Sequence, residues 1–402
     1  MSAAAAITAA DLEARLSGLR SIGLSAAGTN RLAWTPEDAA AGAWFSAQAA
    51  GLGLIVSRDA AGNRWAVPDR PGPWWAVGSH TDSVRDGGAY DGALGVAAAF
   101  AIAAAARVPL AVVSFADEEG ARFNTPTFGS RALAGTLDVE DVLRRRDDDG
   151  VLLAAALRDA GIDPDGLAAA PPALGDLRGF VELHIDQSRD VAGEGAPAGI
   201  VTALASRLRA RVTFDGASDH AGTTPPEDRR DALAAAARLV VAADELRAAV
   251  DADPPMRSTA GRILVAPNAL TSIPAHVTVW LDARAADPAA LDAWLAAVNA
   301  RATELAAGTG VAIAVTVESR GAGVTFDGDL RARLRAAAGD APCPDVLCWA
   351  GHDAGVLAPR LPAAMVLVRN PTGVSHAAAE HVDLGDAAAA ATLILSTLEG
   401  LV

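Results

Sequence analysis

Lysine is missing altogether: every one of the 33 basic side chains among the 402 residues is arginine. Alanine, glycine and aspartate are abundant at the same time, so the bias reads as a genome preference and carries no functional weight. Cysteine is confined to Cys343 and Cys348, too few for a disulfide framework. Aromatics make up only 4%, and much of the 51% hydrophobic fraction is alanine, so the core must come from small side chains. Alanine favours helix but buries little area, and the helices are therefore expected to pack closely through small faces. No apolar run reaches the roughly 20 residues that a bilayer crossing needs, which argues against a membrane partner. Basic clusters with interleaved aromatics are also lacking. A net charge of −16 repels phosphate backbones, so nucleic acid is not an expected partner. The opening "MSAAAAITAADLEARL" lacks the basic start of a signal peptide, and Thr8 with Asp11 is spaced as a helix N-cap. A cytoplasmic protein is the expectation.

What is present alternates between strand and helix. "WWAVGS" (74–79), "LAVVSFA" (110–116), "FVELHI" (180–185) and "AAMVLV" (363–368) have strand length, and alanine-rich stretches such as 94–106 read as helix. This pattern predicts an α/β domain with a mostly parallel sheet flanked by helices. The middle differs. "RLRARVTFDGAS" (207–218) alternates, as a half-buried strand does. A helix over 226–250, two strand-like runs, a helix over 287–307 and the strand 311–319 follow. The length favours two domains. The expected division is an α/β domain over 1–205 and 321–402, with an α+β domain inserted over 206–320.

Seven histidines are few enough for their places to be informative. Each alone reads best as an ordinary hydrogen-bonding residue. Combined with carboxylates they read differently. His80, Asp91, the pair Glu118–Glu119, His184 and His381 all fall at strand ends or adjacent loops of the α/β part. Two divalent ions about 3.5–4 Å apart need a bridging carboxylate and private ligands for each ion. Imidazole with carboxylate suits zinc, and equally manganese, nickel or cobalt. Asp82, two residues after His80, is placed to orient that imidazole. Read alone, "DEEG" (117–120) fits an acidic surface turn equally well.

The whole set resembles the dinuclear metal-dependent amidohydrolases of the peptidase M20 superfamily. Within it, the chain is similar to the N-carbamoyl-L-amino acid amidohydrolase, β-ureidopropionase and allantoate amidohydrolase group. The motifs "GSHTDSV…GGAYDGALGV", "ADEEGARF", "ELHIDQS", "HAGTTP…RRDAL", "PNAL…IP", "AGHDAG" and "GVSHAAAEH" occur in the family's order. His184, where generic members usually have a carboxylate, favours the carbamoylase-like branch. The resemblance implies Asp91 as bridging ligand, His80 and His184 at one metal, and Glu119 and His381 at the other. It implies Glu118 as general base and the inserted domain as a lid that mediates homodimerisation. His220 then matches the lid histidine that hydrogen-bonds the tetrahedral oxyanion, often across the dimer. Asn268 and Arg284 match residues that hold the substrate's carboxylate, a task suited to a planar guanidinium. Gln187, His352 and His376 match pocket positions, and His276 matches none. Read alone, Arg284 fits a surface ion pair with Asp282 or Asp287.

Some positions depart from the family's pattern. Cys348 and Trp349 precede Ala350 where Ser-Gly is usual, Asp186 and Ser188 replace Glu and Gly, and Thr271 stands where a second asparagine is common. The expected ligands are intact while substrate-facing positions vary. N-carbamoyl-L-amino acids are therefore the first expectation and allantoate the second, with N-formyl, N-formimino and other N-acyl amino acids as further alternatives. An M20 exopeptidase or deacylase is disfavoured by His184 and "HAGTTP". A catalytically silent ligand-binding homologue is disfavoured by the presence of Glu118 and Asp91.

Overall fold

The computed structural model of the chain describes residues 6–169 and 173–401. The chain divides into two compact units, Met1–Thr202 with Thr325–Val402, and Ala203–Val324.

In the first unit a nine-stranded sheet has four parallel strands at its centre. In spatial order these are Leu110–Phe115, Trp74–His80, Leu177–Ile185 and Ala363–Val368. Arg64–Val67 and Ala198–Leu204 flank them antiparallel. Both faces of the central strands are covered, which is why they read as continuous apolar runs rather than as alternations. Helix Ala93–Ala105 is buried from Ala93 to Ile102. It packs so closely that a Cβ on Gly95 would lie 2.2 Å from the Leu183 carbonyl oxygen. Thr8 caps the first helix through a reciprocal exchange with Asp11. Among the described residues no helix is long and apolar enough to cross a membrane.

The second unit is a four-stranded antiparallel sheet in the order Ala312–Gly321, Ser206–Asp215, His276–Ala285, Arg257–Ala266. Leu208, Ala210, Val212 and Phe214 alternate into its core, while Arg207, Arg209 and Arg211 occupy the opposite face. The long helix begins at Ala232 rather than at 226. Pro226–Asp228 form a single 3₁₀ turn instead, and the Asp231 carboxylate accepts from the amides of Leu233 and Ala234, starting the helix there. The second helix, Pro288–Thr309, locks onto the first through fully buried Trp294, whose indole N–H donates to the Ala243 carbonyl at 3.0 Å.

Trp294 unites the two helices with the sheet by both bulk and hydrogen bond. Trp294→Ala is expected to destabilise the second unit by about 3–5 kcal/mol, read as a lowered urea midpoint for tertiary signals from that unit.

Candidate metal centre

The site lies beyond the carboxyl ends of the parallel strands, where open α/β sheets place their ligands. His80 is the last residue of Trp74–His80, and His184 the penultimate residue of Leu177–Ile185. Both rings are fully buried and stack with centroids 5.8 Å apart. His80 Nδ1 lies 3.0 Å from the Asp82 carbonyl oxygen, and His184 Nδ1 lies 2.9 Å from that of Ile185. In the neutral ring each Nδ1 carries the proton, which leaves both Nε2 lone pairs free. They converge on one atom, Asp91 Oδ1, at 3.5 Å from His80 and 3.1 Å from His184.

Asp91 sits in the turn before helix Ala93–Ala105, and Gly92 makes that turn possible. Its φ is +63°, and a Cβ there would lie 2.4 Å from the His80 ring. Only glycine allows both the backbone shape and the close approach. The second oxygen, Asp91 Oδ2, accepts from Gln187 Nε2 at 2.9 Å and from the Ser375 hydroxyl at 3.4 Å. It also lies 3.3 Å from His376 Nε2, which in turn is 3.4 Å from Glu119 Oε1. Two donor groups result, His80–Asp91–His184 and Asp91–Glu119–His376, each with its ligand atoms within 4.8 Å of one another. They share Asp91.

The adjacent glutamates are held by Asp82. Its two carboxylate oxygens accept from the Glu118 amide at 3.2 Å and the Glu119 amide at 3.1 Å. Asp82 thus orients the glutamates directly, while His80 is oriented by the Asp82 backbone oxygen. Asp117, at φ +50°, turns the chain so that Glu118 and Glu119 both face the centre, and its carboxylate takes a short bond from Thr125. Glu118 lies outside both donor groups, with Oε2 3.7 Å from His80 Nε2.

Electrostatics follow from burial. Removal from water pushes the Glu118 carboxyl well above the usual range, and nearby Asp353, Glu119 and Asp82 add to that against the pull of His80. Burial and then Asp91 raise Glu119 to about 7. Burial would also raise Asp91, but His184, His376 and His80 hold it well below the carboxylate range. A hydrogen bond to Asp91, opposed by burial and aided by Glu119, raises His376 to about 9. The raised His376 and the lowered Asp91 favour their charged forms beside each other, and a divalent cation bound there would compete with protons for the imidazole nitrogens.

Divalent ions fit this donor set. His80 Nε2, His184 Nε2 and Glu119 Oε1 are buried without a hydrogen-bond partner, and all three point into the shared space. Orphaned buried atoms of this kind are costly unless something coordinates them.

One expected ligand is misplaced. His381 is exposed and belongs to neither donor group, whereas His376 occupies the position beside Glu119. The turn explains the exchange. His376 adopts φ +56°, which brings Nε2 of its half-exposed ring to Asp91 and Glu119, and Glu380 goes inward to accept from the amides of Tyr90 and Asp91 at 2.8 and 3.0 Å. The next residue, His381, then faces water. Glu380 was not foreseen, nor were Glu182 and Asp353, both fully buried; an acidic residue inside the apolar run "FVELHI" was the available signal for Glu182. His352 is buried with its ring 4.3 Å from that of His184, and both of its nitrogens lack partners.

Asp186, one of the unusual positions, has a local task. Its carboxylate accepts from the Ser188 amide and hydroxyl and from the Val191 amide, and the resulting turn presents Gln187 to Asp91. Trp349 donates through its indole to Asp190 at 2.7 Å.

The remaining expected residues belong to the second unit. His220 Nδ1 accepts from the amides of Gly222 and Thr223 at 3.0 and 3.2 Å, leaving Nε2 as the protonated, donating nitrogen of an exposed ring. Its loop pairs with the segment after exposed Asn268, through the Ala221 amide to Thr271 and the Ile273 amide to Asp219. Arg284 is half-buried and donates to Asp282 at 3.0 Å. His276 pairs with Asp215 at 2.8 Å.

A divalent-metal hydrolase is the class that this fold and donor set define, and comparison with known proteins gives the family. Residues 66–400 match peptidase family M20/M25/M40, and the chain belongs to that family. It is 35% identical over 383 residues to an N-carbamoyl-L-amino acid amidohydrolase of Geobacillus stearothermophilus, covering 92% of this chain and 93% of that one. An allantoate amidohydrolase of Bacillus subtilis is 33% identical over 377 residues, covering 88% of each. The crystal structure of a hydantoinase/carbamoylase family amidase from Burkholderia multivorans superposes with a TM-score of 0.87 at 30% identity, covering 98% of both chains. The chain is thus an amidohydrolase, acting on C–N bonds of a small-molecule substrate.

The exchange of histidines is open to direct test. His376→Ala is expected to lose one of two equivalents of bound divalent metal, while His381→Ala retains both, by elemental analysis after dialysis.

Proposed function

We propose that the chain hydrolyses a linear ureido or amide C–N bond in a substrate carrying a carboxylate, with N-carbamoyl-L-amino acids first and allantoate second. The observation that carries this reading is the carboxylate of Asp91 shared by two donor groups, with Glu118 beside them and outside both. The names and the near-complete overlap of the relatives support the substrate order.

His80, His184 and Asp91 would hold one ion, and Asp91, Glu119 and His376 the other; zinc, manganese, nickel and cobalt all suit these donors. When bound, such ions supply Lewis-acid polarisation of the carbonyl and acidify a water molecule. Glu118, its carboxyl raised by burial, takes the proton of the attacking water and delivers it to the leaving nitrogen. His220, protonated on Nε2, donates to the oxyanion, and its contribution across a homodimer built on the second unit completes the site. Arg284 and Asn268 hold the carboxylate. Gln187 keeps Asp91 in place by donating to Oδ2.

Glu118→Gln is expected to bind the same two equivalents of metal and to lose nearly all turnover. An unchanged kcat would exclude it as the base. The substrate assignment is tested by ammonia release from the metal-reconstituted protein, with a chelated control. The panel holds N-carbamoyl-L-amino acids of several sizes, allantoate and N-formimino-glutamate, and formate is assayed in parallel for N-formyl-glutamate. Metal-dependent ammonia release from a ureido substrate is the expected result. Silence on all ureido substrates, with two ions bound, would overturn the assignment.

A further inference from the structure

We propose that Glu182 is a positioning residue that sets the His80–His184 half of the centre by tying together the elements that carry three imidazoles. The proposal rests on the two-ion reading above.

Glu182 is fully buried in the middle strand of the sheet, two residues before His184 and therefore on the same face of that strand. Its register partner in the neighbouring strand is Gly78, next to Ser79 and His80. A carboxylate so deep in a sheet is costly unless its oxygens are used. Both are. Oε1 accepts from the Ser79 hydroxyl at 2.8 Å, beside His80, and Oε2 accepts from the Ala354 amide at 2.8 Å. Ala354 lies in helix Asp353–Leu357, whose preceding residue, His352, caps none of the free amides with its own side chain. Glu182 supplies that missing acceptor from across the sheet. One side chain thereby connects the strand of His80, the strand of His184 and the turn of His352.

Glu182, His184 and His352 also bring ligand atoms within 4.8 Å of one another. A third ion is not the reading we adopt, because Glu182 is engaged on both oxygens and His184 Nε2 faces Asp91 at 3.1 Å. The Glu182 group supports the centre from behind.

The test is stepwise cobalt binding by the metal-stripped full chain, in competition with a chromophoric chelator, with the visible spectrum of bound cobalt recorded at each step. His376→Ala assigns which step belongs to which donor group. In Glu182→Ala the His80–His184 step is expected to weaken by roughly 10-fold, the low end of the loss seen when a direct partner of a ligand is removed, because Glu182 acts through Ser79 and Ala354, with an altered spectrum, while the other step stays nearly unchanged. Glu182→Gln is expected to keep both steps, since its amide can accept from Ala354 and donate to the Ser79 oxygen. Both steps unchanged in Glu182→Ala, both weakened equally, or Glu182→Gln falling as far as the alanine variant would overturn the proposal. If Glu182→Ala fails to fold, Ser79→Ala carries the test: a smaller weakening of the same step supports the brace, and no change overturns it. A wild-type chain that binds no cobalt would instead end the two-ion reading.

Discussion

The centre of the first unit is arranged around the position of one carboxylate. Asp91 turns one oxygen to His80 and His184 and the other to His376, Gln187 and Ser375, while its own amide is held by Glu380. That oxygen pair sits amid a concentration of negative charge withdrawn from water: Asp82, Asp117, Glu118, Glu119, Glu182, Asp353 and Glu380. Arg31 is the fully buried guanidinium nearby. It donates to the Thr81 carbonyl in the loop after His80, and burial lowers it to about 10 against the pull of Asp82 and Asp38. One guanidinium cannot balance so many acids, so they stay protonated or face cations. Divalent ions held by Asp91, Glu119 and the imidazoles would offset this imbalance without added side chains.

The backbone at these positions is correspondingly unusual. Asp117, Gly92 and His376 all adopt positive φ, at +50°, +63° and +56°. Two of the three are not glycine, and left-handed conformations at such residues persist where surrounding structure over-determines them. Here that surrounding is visible: the Asp117 and Glu118 carbonyls accept from the amides of Phe128 and Thr127, and the Glu118 and Glu119 amides are held by Asp82.

Much of this was legible in the sequence. Strands buried on both faces announced themselves as short apolar runs, and His80, Asp91, Glu119 and His184 stood at strand ends where α/β sheets collect ligands. Two of the failures share a cause. "GVSHAAAEH" offers two histidines, and only the turn geometry at His376 and the inward path of Glu380 decide which one faces the centre. Glu182 and Ser79 lie far apart in the chain, so no local pattern could pair them. The helix read as starting at 226 lost its first turn to consecutive prolines and to the cap at Asp231.

The alanine-rich helix Ala93–Ala105 has a mechanical meaning as well. It presses its glycine and alanine face against the strands that carry His80 and His184, leaving a Gly95 Cβ no room before the Leu183 carbonyl. Long side chains can absorb a displacement by changing rotamer; glycine and alanine have no rotamers to change. A layer packed through such residues behaves as a stiff spacer, with little room to absorb a volume change on its far side before the strands of His80 and His184 feel it.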